Sequence, residues 1–150
     1  MKLAEALILR ADLQKLIAQL KQRLVDNVKV QEGDQPAEQP TLLFQDLNNL
    51  LPQLQDLIVR INLANTQTMV GEKTMTECLA ERDILKTKLD IYRAAYSRAI
   101  IRNERYSRQE VRFVPAVDGE SLQKKIDVLS KDYRELDMAI QQVNWTTELK

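Results

Sequence analysis

Read by the gaps between its apolar residues, the chain shows four stretches with the period of an amphipathic α-helix. In the first, Leu3, Ala6, Leu9, Leu13, Leu16, Leu20 and Leu24 recur at gaps of three or four, which predicts a helix over about 1–27. In the second, Leu43, Leu47, Leu50, Leu54, Leu57, Ile61 and Ala64 alternate gaps of four and three and predict a helix over about 41–68. The third seam is Cys78, Arg82, Leu85, Leu89, Tyr92, Tyr96 and Ala99, with one arginine among its members, in a helix over about 74–102. The fourth is Leu122, Ile126, Leu129, Tyr133, Leu136, Ile140 and Val143, in a helix over about 118–143.

An alternation of four and three averages about 3.5, the coiled-coil repeat, so such helices should pack nearly antiparallel at about 20°. The connection Met69–Lys73 is short enough to force helices two and three into an antiparallel hairpin. The fold class is therefore all-α: a single domain of long helices built on an antiparallel coiled-coil hairpin. In that hairpin residue i of helix three lies beside residue 144 minus i of helix two, which sets Arg98 near Asp46.

The polar punctuation agrees with these boundaries. Thr74 followed three residues later by Glu77 is a capping box, each side chain satisfying a free backbone N–H of the first turn. Asp118 or Ser121 can start the fourth helix in the same way. Pro40 marks the start of the second helix, and Pro52, which has no N–H for the carbonyl of Asn48, should kink it near Asn48–Leu51 without breaking it.

Two connections, 29–40 and 103–117, are long for a helical bundle. Val28 and Val30 flank Lys29, and Val111 and Phe113 share one side of Glu110–Val114, as in half-buried strands. The two segments could form one small β-ribbon or pair with copies in a second subunit; plain extended loop fits them equally well.

Composition narrows the chemistry. The chain has 150 residues, 44% apolar and 29% charged, the balance of a folded soluble protein. Histidine is absent, which removes imidazole acid–base catalysis, the Ser/His and Cys/His nucleophile pairs and nearly all zinc and di-iron sites. Gly33, Gly71 and Gly119 stand alone, so no glycine-rich phosphate loop is present. Cys78 is the only cysteine and sits on a seam, where a thiol serves as a small apolar residue. The acid pairs Asp132/Glu135 and Glu77/Glu81 have helical spacing, but solvated helix face is their better reading. No catalytic residue, metal site or cofactor is expected. The N-terminal stretch, with Glu5 inside its apolar run, is a poor signal sequence, and no run reaches the roughly 18 apolar residues of a membrane span. A cytoplasmic protein is expected.

Charge placement adds the one candidate site. Net charge is zero, yet Val30–Val59 carries five acids and no lysine or arginine. Arg93–Arg112 carries six of the eleven arginines, Arg93, Arg98, Arg102, Arg105, Arg108 and Arg112, against Glu104 and Glu110. Arginines interleaved with Tyr92, Tyr96 and Tyr106 suit phosphate contacts and base stacking, so this cluster is the candidate for an anionic ligand or nucleic acid. Pairing with the acidic stretch, inside the chain or between subunits, is the stronger reading, because a neutral chain exerts no long-range pull on nucleic acid. Val111, Phe113 and Trp145, the sole tryptophan, are candidate interface residues. For Trp145 packing of the tail Asn144–Leu149 is the first reading, and anchoring a partner the second.

Several stretches also carry a resemblance. Met1–Leu7, Val30–Gly33, Leu79–Asp83, Arg105–Arg108, Tyr133–Asp137 and Asn144–Leu149, in this order and spacing, resemble end to end a bacterial family sometimes labelled septicolysin-like. The resemblance implies a mostly helical, oligomeric protein without an established activity, and the label implies a pore-forming one. The function expected from the residues is that of a non-catalytic helical interaction or scaffold protein that forms homo-oligomers. Membrane activity of the septicolysin-like kind is the alternative, and anion or nucleic-acid binding a further one.

Overall fold

In the computed structural model, which describes residues 1–100 and 112–150, each of the four seams folds as a helix. They are α1 (Leu3–Asn27), α2 (Pro40–Gln67), α3 (Met75–Ala99) and α4 (Gly119–Thr146), and they hold 76% of the described residues, an all-α fold. Two short antiparallel strands, β1 (Met69–Val70) and β2 (Lys73–Thr74), join α2 to α3. Two compact units result: Met1–Met69 with Gln141–Lys150, and Val70–Ile140.

In the first unit α1 and α2 pack together over a core of Leu3, Ala6, Leu13, Leu57, Ile61 and Leu149, continued by Leu20, Leu24 and Leu43. Burying one such leucine or isoleucine stabilises by about 1.5–3 kcal/mol, so these side chains fix how the two helices pair. Leu9 and Leu16, seam members by their spacing, are exposed. At about 100° per residue they fall on the trailing edge of the α1 stripe, beyond the width that α2 covers. The tail closes the same core. Thr147 accepts a hydrogen bond from the N–H of Leu3 (2.9 Å), Leu149 donates its N–H to the carbonyl of Met1 (2.8 Å), and Arg60 Nε reaches the carbonyl of Lys150 (2.8 Å).

In the second unit α3 buries Met75, Cys78 and Leu89, and α4 buries Ile126 and Ile140. Arg82, the arginine on the α3 seam, meets Asp137 of α4 at 2.8 Å, and Arg93 donates to the hydroxyl of Ser130 at 3.1 Å. α1 thus pairs with α2 inside the first unit and α3 meets α4 inside the second, whereas the hairpin of helices two and three expected from the sequence falls across the two units.

The β-ribbon also lies elsewhere than expected. It occupies the Met69–Thr74 connection, where Gly71 takes φ +64° at the first position of a two-residue turn and Glu72 does not, the pattern of a type II′ hairpin. Residues 28–30 and 112–114 form no strand, and residues 103–111 of the second long connection lie outside the described residues. The first long connection is held by side chains instead. Asn27, buried, donates to the carbonyl of Arg23 (2.8 Å) and accepts from the N–H of Glu38 (2.9 Å), while Arg23 and Glu38 form a two-pronged ion pair. Gly33 (φ +90°) completes a turn closed by the N–H of Asp34 on the carbonyl of Gln31, a conformation that a residue with a Cβ would strain.

Helix ends follow the sequence closely. Thr74 accepts from the N–H of Glu77, and the Glu77 carboxylate accepts from the Thr74 N–H at 2.7 Å, so the capping box is complete. Asp118 rather than Ser121 starts α4, its carboxylate accepting from the N–H of Glu120 at 3.1 Å. Helix α2 begins at Pro40 and runs on through Pro52, and the Gln53 side chain donates to the carbonyl of Asn49 one residue beyond the bond that the proline removes.

Three carboxylate contacts, at Glu38, Glu77 and Glu148, make stability depend on pH. The hydrogen bond from Arg23 holds the Glu38 carboxyl below its ordinary value of 4.5. The Thr74 N–H does the same for Glu77, and Lys2 with the terminal ammonium for Glu148. A carboxyl whose folded pKa is depressed adds stability above its unfolded pKa and loses it as pH falls through the folded one. Urea midpoints should therefore be flat from pH 7 to about pH 5 and fall below that. Glu148→Gln should reduce the acid slope while leaving the helix content unchanged.

Candidate functional site

The basic segment singled out from sequence begins on the last turns of α3. Arg93 is engaged with Ser130, and Arg98 is exposed in the final turn, where a cation complements the free carbonyls. Arg112 is exposed, and Phe113 is 76% exposed beside an exposed Val114. Arg102, Arg105, Tyr106, Arg108 and Val111 lie outside the described residues. The structure thus places the two ends of the cluster, Arg93 and Arg98 on one side and Arg112 and Phe113 on the other. Trp145 is 54% exposed on α4, and the packing of the tail falls to Leu149 instead.

Positive charge in the second unit gathers at lysines that the arginine count overlooked. Lys88, Lys124 and Lys125 line a groove of ≈ 460 Å³ between α3 and α4 with Tyr92, Ser121, Val128 and Leu129. The Lys88 ammonium stands 5.7 Å from the centre of the Tyr92 ring, one helical turn on. A second cleft of ≈ 640 Å³ shares Lys124 and is lined by Tyr96, Ala99, Ile100, Pro115 and Gly119 among others. Glu120 takes part of the Lys124 charge at 3.2 Å. The adjacent pair Lys124–Lys125 was the signal available in the sequence, but the partner lysine comes from another helix, 36 positions earlier, and only folding brings it near.

This surface offers solvated cations, the hydroxyls of Ser121 and Tyr92 and an aromatic face. Among the described residues no group of three or more acids and cysteines could hold a metal ion. Cys78 is buried with its Sγ 3.9 Å from the carbonyl of Val70, in a packing position.

Another surface feature recurs on three helices. Leu9 and Leu16 on α1, Phe44 and Leu51 on α2, and Ile84 and Ile91 on α3 are pairs of large apolar side chains seven residues apart, all exposed. A spacing of seven keeps both members on one line of the helix surface, which is how a helix presents itself to another helix.

The comparisons with known proteins concern the whole chain. No curated protein matches it. A crystal structure described as a functionally unknown conserved protein from Corynebacterium diphtheriae is similar at 42% identity, covering 100% of this chain and 99% of that one, with a TM-score of 0.94. A family model described as "Family of unknown function (DUF6847)" matches residues 10–149, and the chain belongs to that family.

Proposed function

We propose that the protein is a non-catalytic helical interaction protein of the cytoplasm that associates with copies of itself. The observation that carries this reading is the outward heptad pairing on three helices, Leu9/Leu16, Phe44/Leu51 and Ile84/Ile91. Isolated exposed leucines are ordinary, but a heptad-spaced apolar pair on each of three helices costs solubility unless another helix covers it. The opposed charges of Val30–Val59 and Arg93–Arg112 supply attraction between copies without a net field. Light scattering should give a mass that is a multiple of one chain, and the association should weaken with salt as the screening length drops from about 10 Å at 0.1 M to about 3 Å at 1 M. A single-chain mass at both salts, across accessible concentrations, would remove the reading.

The groove of Lys88, Lys124 and Lys125 beside Tyr92 favours a second reading, the binding of a multiply charged anion. A rise in melting temperature with tripolyphosphate, lost in Lys124→Glu with Lys125→Glu, would select it over self-association. Among the described residues no helix is long and apolar enough to cross a membrane. Release of dye from liposomes by the folded protein would favour the pore-forming alternative that the septicolysin-like resemblance implies.

A further inference from the structure

Helix α3 carries two seams, of which the fold uses one. The first, through Cys78, Leu85 and Leu89, faces inward, with Cys78 and Leu89 buried. The second runs Ala80, Ile84, Thr87, Ile91, Ala94, at gaps of four, three, four and three, and every member is exposed, Ile84 at 68% and Ile91 at 64%. It is bounded by Glu77, which is engaged in the capping box, and by Arg98. The five positions span about 21 Å of helix at 1.5 Å per residue.

We infer that this second seam is the contact between two copies of the chain, and that the two α3 helices lie parallel and in register. The inference rests on the self-association proposed above and assigns it a place and a geometry. With Ile84 and Ile91 as a positions, the d positions are Ala80, Thr87 and Ala94. Isoleucine at a is what parallel two-stranded seams use beside leucine at d; here the smaller Ala80, Thr87 and Ala94 at d leave room for the helices to approach closely. The flanking charges select the same arrangement. Asp83 is a g position and Lys88 the e position five residues on, the pair that meets across a parallel two-stranded seam, twice by symmetry. An antiparallel crossing would instead set Asp83 against Asp90 of the other copy, and its one attractive pair, Glu81 with Lys88, would have to displace the ion pair that Glu81 makes with Lys73 at 2.6 Å. Within the chain Asp83 and Lys88 are only loosely held: among the described residues Asp83 has Arg82 at 3.9 Å, which itself bonds Asp137 at 2.8 Å, and Lys88 stands over the Tyr92 ring without an ion-pair partner. Two heptads would not hold as free peptides, but α3 is already folded, so association does not have to order it.

Sedimentation equilibrium over a concentration series tests this. Wild type should be dimeric at the upper concentrations. Ile84→Glu with Ile91→Glu, both on the surface, should be monomeric there with an unchanged circular dichroism spectrum. Asp83→Lys and Lys88→Asp should each weaken the dimer and the double exchange should restore it. Under mild oxidation Thr87→Cys should form an intermolecular disulfide, because in-register d positions bring their Cα atoms into the range of about 4.4–6.8 Å that a disulfide spans. A wild-type monomer at all concentrations would overturn both this inference and the proposed self-association. A dimer untouched by the isoleucine changes would overturn the seam alone, and a dimer that those changes abolish but that gives no Thr87→Cys cross-link would overturn the parallel register.

Discussion

Ile61→Ala should lower the stability of the protein by about 3–4 kcal/mol, within the range for large-to-small changes in a sealed core. Ile61 is 0% exposed and belongs to the cluster of Leu3, Ala6, Leu13, Leu57 and Leu149. Loss of the branched side chain removes its burial and leaves a cavity whose walls cannot collapse, because α1 on one side and the tail on the other are fixed by backbone hydrogen bonds. At about 2–4 °C per kcal/mol for a chain of this size, the melting temperature should fall by about 6–16 °C. Ile84→Ala is the control. It removes as many atoms from an exposed isoleucine and should shift the curve of the dilute protein by no more than about 0.5 kcal/mol.

Removal of residues 148–150 should be nearly as costly, about 3–4 kcal/mol, although only three residues are lost. Most of that belongs to Leu149, which is 6% exposed, and its N–H and the Lys150 carbonyl tie the tail to Met1 and Arg60. Leu149→Ala alone should reproduce most of the loss. Glu148→Ala should do far less, because its ion pairs with Lys2 and the terminal ammonium are at the surface, where water and salt compete for both partners. Denaturant titration of the three variants separates burial from charge. If Glu148→Ala matched the truncation, the tail would act through its charges and the packing account would fail.

The helices were legible because each seam is long. Boundaries came out within a few residues where a side chain caps the backbone, as at Thr74 with Glu77 and at Asp118. Which helix pairs with which was not legible, since any two 4,3 seams fit each other by spacing. The choice fell to contacts between residues remote in sequence, of which Arg82 with Asp137 is the clearest. Leu149 was missed because one leucine in a five-residue tail has no period, and the larger Trp145 drew the packing role instead. The hairpin Met69–Thr74 was missed because strands of two residues leave no alternation to read, although Gly71 carried the turn signal. Of the candidate site, the arginine count pointed to the end of α3; in the groove of Lys88 with Lys124 and Lys125 only the adjacent lysine pair leaves a local mark, because Lys88 joins it from another helix.

The first unit is discontinuous along the chain, Met1–Met69 with Gln141–Lys150, and that fixes an order of events during synthesis. The α1–α2 hairpin can form as soon as residue 67 has cleared the ribosome. Its core cannot close until Leu149 arrives, so Leu3, Ala6 and Ile61 wait with a gap where that side chain belongs. At about 5–20 residues per second the wait lasts several seconds, long compared with the assembly of a helical hairpin. A nascent chain halted before residue 141 would therefore show an α1–α2 pair that is helical but easily cleaved, and one long enough to dock Leu149 would be resistant.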